Sequence, residues 1–379
     1  MLWLIPNGFL SDKMANDSTP PKPAQAPPVT EIGWKDIATL MNPGSEKRQT
    51  MRGFDERIVD IVDYHIRGTH WIWEERGVGR IYNQYRHNTP VWHPHGVSYG
   101  RDQVISDTLQ MQHTFPDRRA FGDDVMWRVD EEEQTYHFSA RITNLAHHWG
   151  HGPLGPPTGR RIHWSTLCNC IAHENRIAEE WLIRDETAVV RQLGLDPWEL
   201  ARTMARQEAE WSKQDSPSGD LDRLSGQNAP QVHMPKSGDF DVEDFVRGFL
   251  HDAWNVRLLN RVRECCAPNI LLHLPGQREL YGTGDYTAHV TGLLAQFPDA
   301  QLLVDDLYWN PDRAKGGFKL AVRWTLQGTH EGWGVFGSPT GRRISLMGLS
   351  HLYVRNETLV EDYTLYSEIA LMKQLVALE

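Results

Sequence analysis

Apolar and polar residues alternate with period two from Thr135 to Leu145, where Tyr136, Phe138, Ala140 and Ile142 interleave with His137, Ser139, Arg141 and Thr143. That alternation predicts a half-buried strand. Arg161 to Ile171 and Ile177 to Asp185 follow as two further strands around a His173-Glu174-Asn175-Arg176 turn. Upstream the period lengthens. Ile58, Ile61, Val62 and His65 recur at helical spacing after Phe54, and a second helix is expected from about Arg80 to Tyr85. A strand from Pro90 to His95 and a helix from about Asp102 to His113 then lead into a Phe115-Pro116-Asp117 turn. Helices first and a meander after them predict an α+β domain in which a curved antiparallel sheet wraps on N-terminal helices.

The pattern occurs twice. Shifting the chain by 182 residues lays Phe115-Pro116-Asp117 on Phe297-Pro298-Asp299 and Pro157-Thr158-Gly159-Arg160-Arg161-Ile162 on Pro339-Thr340-Gly341-Arg342-Arg343-Ile344. Trp127 meets Trp309, Arg141 meets Arg323, His148 meets His330 and Glu179 meets Glu361 in the same register. A period this long gives each copy its own core, so the copies are domains and not stacked repeats. The expected boundaries are an extension at 1–54, a first domain at 55–195, a connector helix and loop at 196–238, and a second domain at 239–379. Within the extension, Ser11 to Thr30 is rich in proline and polar residues and reads as a loose arm. Trp34, Ile37 and Leu40 follow at helical spacing, which allows it to wrap on the body. Pro197 to Trp211 reads as a helix, Ser216 to Pro235 as a loop, and Gly238-Asp239 as the cap of the next helix, which runs through Phe245, Phe249 and Trp254.

Composition narrows the partners. The chain of 379 residues carries a net charge of -11 and its basic residues cluster no further than Arg-Arg pairs, which argues against nucleic acid. Cys168/Cys170 and Cys265/Cys266 match neither a disulfide framework nor a CxxC site, so reduced thiols and a cytoplasmic location are expected. Met1 to Leu10 is apolar but lacks a basic leader and a small-residue cleavage site, and no run reaches the length of a membrane span. Neither a signal peptide nor a membrane partner is expected. The acidic total argues mildly against strongly anionic substrates, although a local pocket charge can override it.

Candidate chemistry gathers where the copies differ. By strict alternation Glu179, Trp181, Ile183 and Asp185 share one face, with Trp164, Thr166, Cys168 and Cys170 beside them on the neighbouring strand. A carboxylate among apolar rings has a raised pKa and becomes a usable general acid or base. Asp185 fits equally as the N-cap of a helix from Glu186 to Leu193. The second copy has Ser367 there. His93, His95, His113, His147, His151 and His163 are replaced in the second copy by Pro275, Gln277, Ala295, Thr329, Trp333 and Ser345. His93 and His95 have the i,i+2 spacing of metal ligands on a strand, yet no carboxylate or cysteine completes a set, so pocket histidines are expected and no metal. The repeated Pro-Thr-Gly-Arg segment reads as a turn, and Arg141/Arg323 with Glu179/Glu361 as pairs within each sheet.

The Phe-Pro-Asp turn, the Pro-Thr-Gly-Arg segment, the run Ile177-x-Glu179-x-Trp181-x-x-x-Asp185 and then Arg191-Gln192-Leu193-Gly194 resemble the SnoaL-like polyketide cyclases, or ester cyclases, of the nuclear transport factor 2-like superfamily, with the first copy the closer. The resemblance implies two conical domains with a pocket in each cone, and an internal pseudo-dimer, because relatives pair through their sheets. It also implies that Asp185 is an acid/base catalyst working without metal or cofactor. The pocket histidine of such cyclases has no match among Trp164, Thr166, Cys168 and Cys170. The expected function is therefore cyclisation, isomerisation or elimination on a small oxygenated substrate. Asp185 would be the base, one of His93, His95 and His113 the oxyanion partner, and Trp181, Trp164, Trp92 and Cys168 the pocket wall. A binding protein without chemistry is the alternative, and a metal-dependent lyase or hydrolase a third reading.

Overall fold

The computed structural model describes residues 28–33, 35–211 and 233–376. The loose arm up to residue 27, Trp34 and the loop of 212–232 lie outside the described residues. The first half runs α1 (Ile37–Leu40), α2 (Ile61–Thr69), α3 (Ile81–Gln84), β1 (Pro90–His93), β2 (Gly96–Tyr99), α4 (Arg101–Thr114), β3 (Arg119–Asp130), β4 (Thr135–His147), β5 (Arg161–His173), β6 (Arg176–Arg184) and α5 (Glu186–Leu193). After α6 (Pro197–Trp211) the same order returns as α7 (Val242–Leu250), α8 (Asn260–Cys265), β7 (Cys266–Leu274), β8 (Arg278–Tyr281), α9 (Gly282–Gln296), β9 (Gln301–Pro311), β10 (Phe318–Thr329), β11 (Arg343–Arg355), β12 (Thr358–Tyr366) and α10 (Glu368–Leu375).

Each half holds a six-stranded sheet, ordered β2-β1-β6-β5-β4-β3 and β8-β7-β12-β11-β10-β9. The class is α+β. Each sheet is mixed, because the first strand of each half pairs parallel with the last, β1 with β6 and β7 with β12. Helix α2 begins at Ile61 and not near Phe54. Asp60 supplies the cap, accepting the Asp63 amide at 2.8 Å, while Phe54 and Ile58 are buried in the approach to it. Asp241, not Gly238-Asp239, caps α7, accepting the Glu243 and Asp244 amides. Both α2 and α7 run on into one π-helical turn, His70–Glu74 and His251–Val256. The described part of the extension is tied down: Ile32, Leu40 and Met51 join the first core, and Thr30 donates from its amide and hydroxyl to buried Asp60.

The two sheets meet through the faces turned away from their helices. Leu167 and Ile183 of the first half close on Leu349 and Leu365 of the second, and Met126 packs with Tyr308, Ala321 and Tyr353. Polar contacts across the seam repeat under exchange of the halves. The Arg141 guanidinium lies 3.6 Å over the Tyr363 ring, and Arg323 lies 3.8 Å over Trp181. Within each sheet Thr143 bonds Asp123 and Thr325 bonds Asp305, both at 2.8 Å. Lys319 meets Asp124 at 2.6 Å, and Arg128 meets Asp306 at 3.0 Å. The Asn310 side chain seals the edge by accepting the Trp127 amide and donating to its carbonyl. These partners replace the expected pairing of Arg141 with Glu179 and of Arg323 with Glu361. Glu179 instead accepts Trp92 Nε1 at 2.8 Å, and Glu361 accepts the Tyr363 hydroxyl.

The repeated Gly-rich loops are architectural. A Cβ at Gly150 would lie 1.8 Å from the His113 carbonyl oxygen, and one at Gly332 equally close to that of Ala295, so each loop lies on the end of its long helix. Helix α6 packs on the second half, where Ala201 enters the core and Glu208 meets Lys373 at 2.7 Å.

Leu167 is fully buried in the seam. Leu167→Ala is expected to cost about 2–5 kcal/mol, the range for a large-to-small change in a closed core. Urea denaturation followed by tryptophan fluorescence reads this as a lower midpoint. A loss under about 0.5 kcal/mol, the level of an ordinary surface change, would mean that the halves do not meet there in solution.

Candidate active site

One unpaired residue decides which side chains of β6 see the interior of the first cone. The turn residues Glu174 and Asn175 both have positive φ, and His173 pairs with Arg176. Continued without interruption, that register would set Cys170 opposite Glu179. Instead Ala172 pairs with Ile177 and Ile171 with Glu179, leaving Ala178 as a bulge, so Cys170 faces Glu180, Cys168 faces Leu182 and Thr166 faces Arg184. A one-residue slip exchanges the faces of a strand. Glu180, Leu182 and Arg184 therefore turn inward, and Trp181 and Ile183 turn to the seam. The second half carries the same bulge at Val360.

The first cone encloses a cavity of about 110 Å³. Tyr64, Phe138, Ile142, Ile72, Val91 and Leu182 give it an apolar wall, and the π-helical turn contributes Ile72 and Trp73. Its polar groups are His65, His93, Asp107, Arg118, Glu180 and Arg184. Glu180 is 7% exposed and accepts the Tyr85 hydroxyl at 2.9 Å. Burial pushes its carboxyl above the usual range, against the opposing pull of Tyr85 and Arg184. Burial also lowers His65 to about 4, and burial with Arg184 nearby lowers His93 to about 4, so both rings are neutral near pH 7. His93, Asp107, Leu182 and Arg184 also line a groove under the β1–β2 hairpin, which makes them the mouth of the cavity.

Of the residues predicted for the site, the cavity collects His93 and Cys168. Asp185 does not line it. Its side chain caps α5 through the Ala188 amide at 3.0 Å and accepts the Gly276 and Gln277 amides, at 2.8 and 3.1 Å, from the β7–β8 turn of the other half. Three backbone donors hold it as a clamp between the halves, beside a groove that it shares with Trp164 but not with Trp181. Burial raises its carboxyl, as expected for a pocket acid, while the three amides act to lower it. Trp181 is turned outward under Arg323, and Trp164 is 1% exposed against Phe115. Trp92 is on the outer face with Glu179, and His113 is exposed at the end of α4. His95 sits in the turn after β1, not on the strand, and meets Glu186 at 2.7 Å; it lines the groove under the β1–β2 hairpin with His93 but not the cavity. Among the described residues, Cys168, Cys170 and Glu180 form a buried three-donor group with ligand atoms within 4.8 Å of one another. Burial raises the Cys170 thiol well above its usual value, so that thiol is protonated at neutral pH.

The second cone shows the same chemistry closed off. Asp362 stands at the position of Glu180 and also accepts a tyrosine hydroxyl, at 3.0 Å, but from Tyr286 on α9, since Ala267 stands where the first half has Tyr85. Trp324 takes the place of Ile142, and Gly348 that of Thr166, where a Cβ would lie 2.0 Å from the indole. The indole Nε1 donates to Ser350, whose hydroxyl meets Thr364, which in turn donates to Asp362. The ring is 7% exposed and belongs to the second core. Glu180 and Asp362 are both acidic at matched positions, and this repetition was the signal in the sequence for the inward carboxylate.

Comparison with known proteins bears on the second half first. Residues 244–375 match the family model described as SnoaL-like polyketide cyclase, in the copy whose motifs resemble that family less. No curated protein matches the chain significantly. Among solved structures, the chain is similar to a candidate SnoaL-like polyketide cyclase from Jannaschia sp. CCS1 (16% identity, 38% of this chain and 100% of that one, TM-score 0.33). It is also similar to IdmH, a candidate polyketide cyclase from Streptomyces antibioticus (26%, 36% and 99%, 0.31). A SnoaL-like polyketide cyclase from Agrobacterium tumefaciens is similar at 16% identity (36% and 100%, 0.30). No helix among the described residues is long and apolar enough to cross a membrane. The chain thus carries a SnoaL-like polyketide cyclase domain in its second half, and its first half repeats the strand order of that domain around an open cavity.

Proposed function

We propose that the first-half cavity is an acid/base active site in which Glu180 moves a proton on a small enolisable carbonyl compound, leading to isomerisation or ring closure. The observation that carries this reading is the contrast between the cones. Carboxylates at matched positions, each holding a tyrosine hydroxyl, face an open cavity in one and are tied through Thr364 and Ser350 to a filling indole in the other. The carboxylate removes the proton α to the carbonyl, and Tyr85 fixes its orientation. Neutral His93 is suited to donate a hydrogen bond to the oxygen on which the enolate charge develops. Isomerisation returns the proton to another carbon. In ring closure the enolate carbon attacks a second carbonyl, whose oxygen takes a proton from the carboxyl. The tyrosine-supported acid and the SnoaL-like domain favour proton transfer over simple ligand storage.

Wild-type protein is expected to exchange α-protons of small 3-oxo compounds in D2O, followed by proton NMR. Glu180→Gln should lose about a hundredfold or more in rate, the usual share of a general base. Asp362→Asn should stay within about threefold, since the second cone has no room for substrate and an effect of under 1 kcal/mol is expected of a remote site. Asp185→Asn should lower stability by about 1–3 kcal/mol, the cost of weakening buried hydrogen bonds, without a comparable loss of rate. An inert wild type across the panel, or exchange that survives Glu180→Gln, would sink the assignment.

The pH profile carries its own sign. A base works in its ionised form, and burial holds the Glu180 carboxyl above the ordinary carboxylate range. Activity should fall as pH drops through that raised value, above the point at which an exposed glutamate would titrate, about 4.3. A limb at or below an ordinary glutamate's pKa would point to a different, exposed carboxylate.

A further inference from the structure

We propose that the first-half cavity is built for an anionic ligand, a short carboxylic acid held at Nη1 of Arg118 with Arg184 beside it. Its apolar body would extend towards Glu180, a direction that rests on the acid/base reading above. Arg118 is the starting point. Its Nε and Nη2 both donate to Asn144 Oδ1, at 3.0 and 2.7 Å, and its guanidinium stacks 3.8 Å over Trp73. The remaining nitrogen, Nη1, is buried without a hydrogen-bond partner. The nearest compensating carboxylate, Glu74, is spent on Arg119 at 2.6 Å and on the Ala120 amide. Burial lowers Arg118 to about 9, so it is still a cation at neutral pH. A buried cation whose hydrogen-bond partners are all neutral is costly to hold, and a carboxylate is the ligand that repays it best, through charge-assisted bonds.

Arg184 gathers at the same end. It stands on β6 opposite Thr166, whose hydroxyl accepts from the Asn144 amide that also holds Arg118. Glu180 lies opposite Cys170, four residues along β5, or about 13 Å by strand rise. The cavity thus has both arginines towards its mouth, where Asp107 also stands, and Glu180 at the other end, with Ile142, Leu182 and Phe138 among the residues between. Neither of its two carboxylates takes a direct hydrogen bond from an arginine, Glu180 accepting from Tyr85 and Asp107 from Gln103, while Arg184 acts on Glu180 and on Glu186 of the mouth groove only through its charge. In the second half the positions of Arg118, Asn144 and Arg184 are Ala300, Leu326 and Tyr366. The charges are present only where the cone is open.

The test uses the full chain, with butyrate and its neutral isostere butyramide as probes, followed by tryptophan fluorescence and by ligand-observed NMR. Butyrate should bind, and butyramide at least tenfold more weakly. Arg118→Met should weaken butyrate at least tenfold and Arg184→Met at least threefold, while Glu180→Gln binds it as well as wild type or better. If circular dichroism shows Arg118→Met to be misfolded, Arg118→Lys serves instead. It keeps the charge but breaks the fork on Asn144, and should weaken butyrate severalfold. Equal binding of acid and amide, or unchanged binding by a folded Arg118 variant, would overturn the proposal. The two readings fail separately. Butyrate bound normally alongside exchange that survives Glu180→Gln removes only the acid/base assignment, whereas Glu180-dependent exchange without carboxylate preference removes only this one.

Discussion

Both faces of each sheet are buried, one against its own helices and one against the sister sheet, and that constraint governs every strand at the centre of the molecule. A sheet covered on both sides cannot use simple alternation of apolar and polar residues to say which way is in. Leu167, Ile183, Leu349 and Leu365 fill the seam, so apolar residues alone do not mark the cone. The information passes to register. The two-residue turns at Glu174-Asn175 and Asn356-Glu357 set it, and the bulges at Ala178 and Val360 then shift it by one. The shift sends Trp181 and Tyr363 outward to meet the arginines of the opposite half, and sends Glu180 and Asp362 inward.

Duplication lets stability and chemistry be divided between the copies. An empty space of 110 Å³ would cost on the order of 2–3 kcal/mol if dry. The second cone avoids that cost by seating Trp324 against Gly348, and it gives its buried acid two hydroxyl partners. The first cone has the smaller Ile142 where the indole stands, with Thr166 in place of Gly348, and leaves the room open. Because the sheets share one seam, the filled copy supports the hollow one directly. The clamp at Asp185 adds to this, since α5 of the hollow copy takes two amides from the β7–β8 turn of the filled copy.

Much of the fold was legible in the sequence. The internal offset, the order of elements and the Phe-Pro-Asp and Pro-Thr-Gly-Arg turns all find their place, because periodicity and turn residues act locally. The parallel pairing of β1 with β6 was not legible, since it is a contact between distant segments with no local mark. The site was read one residue out of phase. Alternation through Ala178 puts Glu179, Trp181, Ile183 and Asp185 on the cavity side, and only the bulge reverses it. His93 and Cys168 reach the cavity regardless, as neither depends on the register of β6. Arg118 was hidden for another reason: it follows a conspicuous turn, and nothing near it in sequence announces Asn144 or Trp73 as its partners.

Asp185 and Glu180 show why a buried carboxylate is not by itself a catalyst. Both are nearly inaccessible, and burial raises both. Their partners separate them. Asp185 is engaged by three backbone amides, which cannot move without breaking a helix cap and a hairpin contact. Glu180 has one tyrosine hydroxyl and a cavity. A proton can arrive there and leave, because the group that holds the carboxylate in place is itself a neutral donor whose own ionisation is pushed further up by burial and by the carboxylate beside it. The tyrosine therefore orients the acid without competing for its proton, whereas Asp362 in the second half is held by Tyr286 from α9 and, through Thr364 and Ser350, by the indole of Trp324.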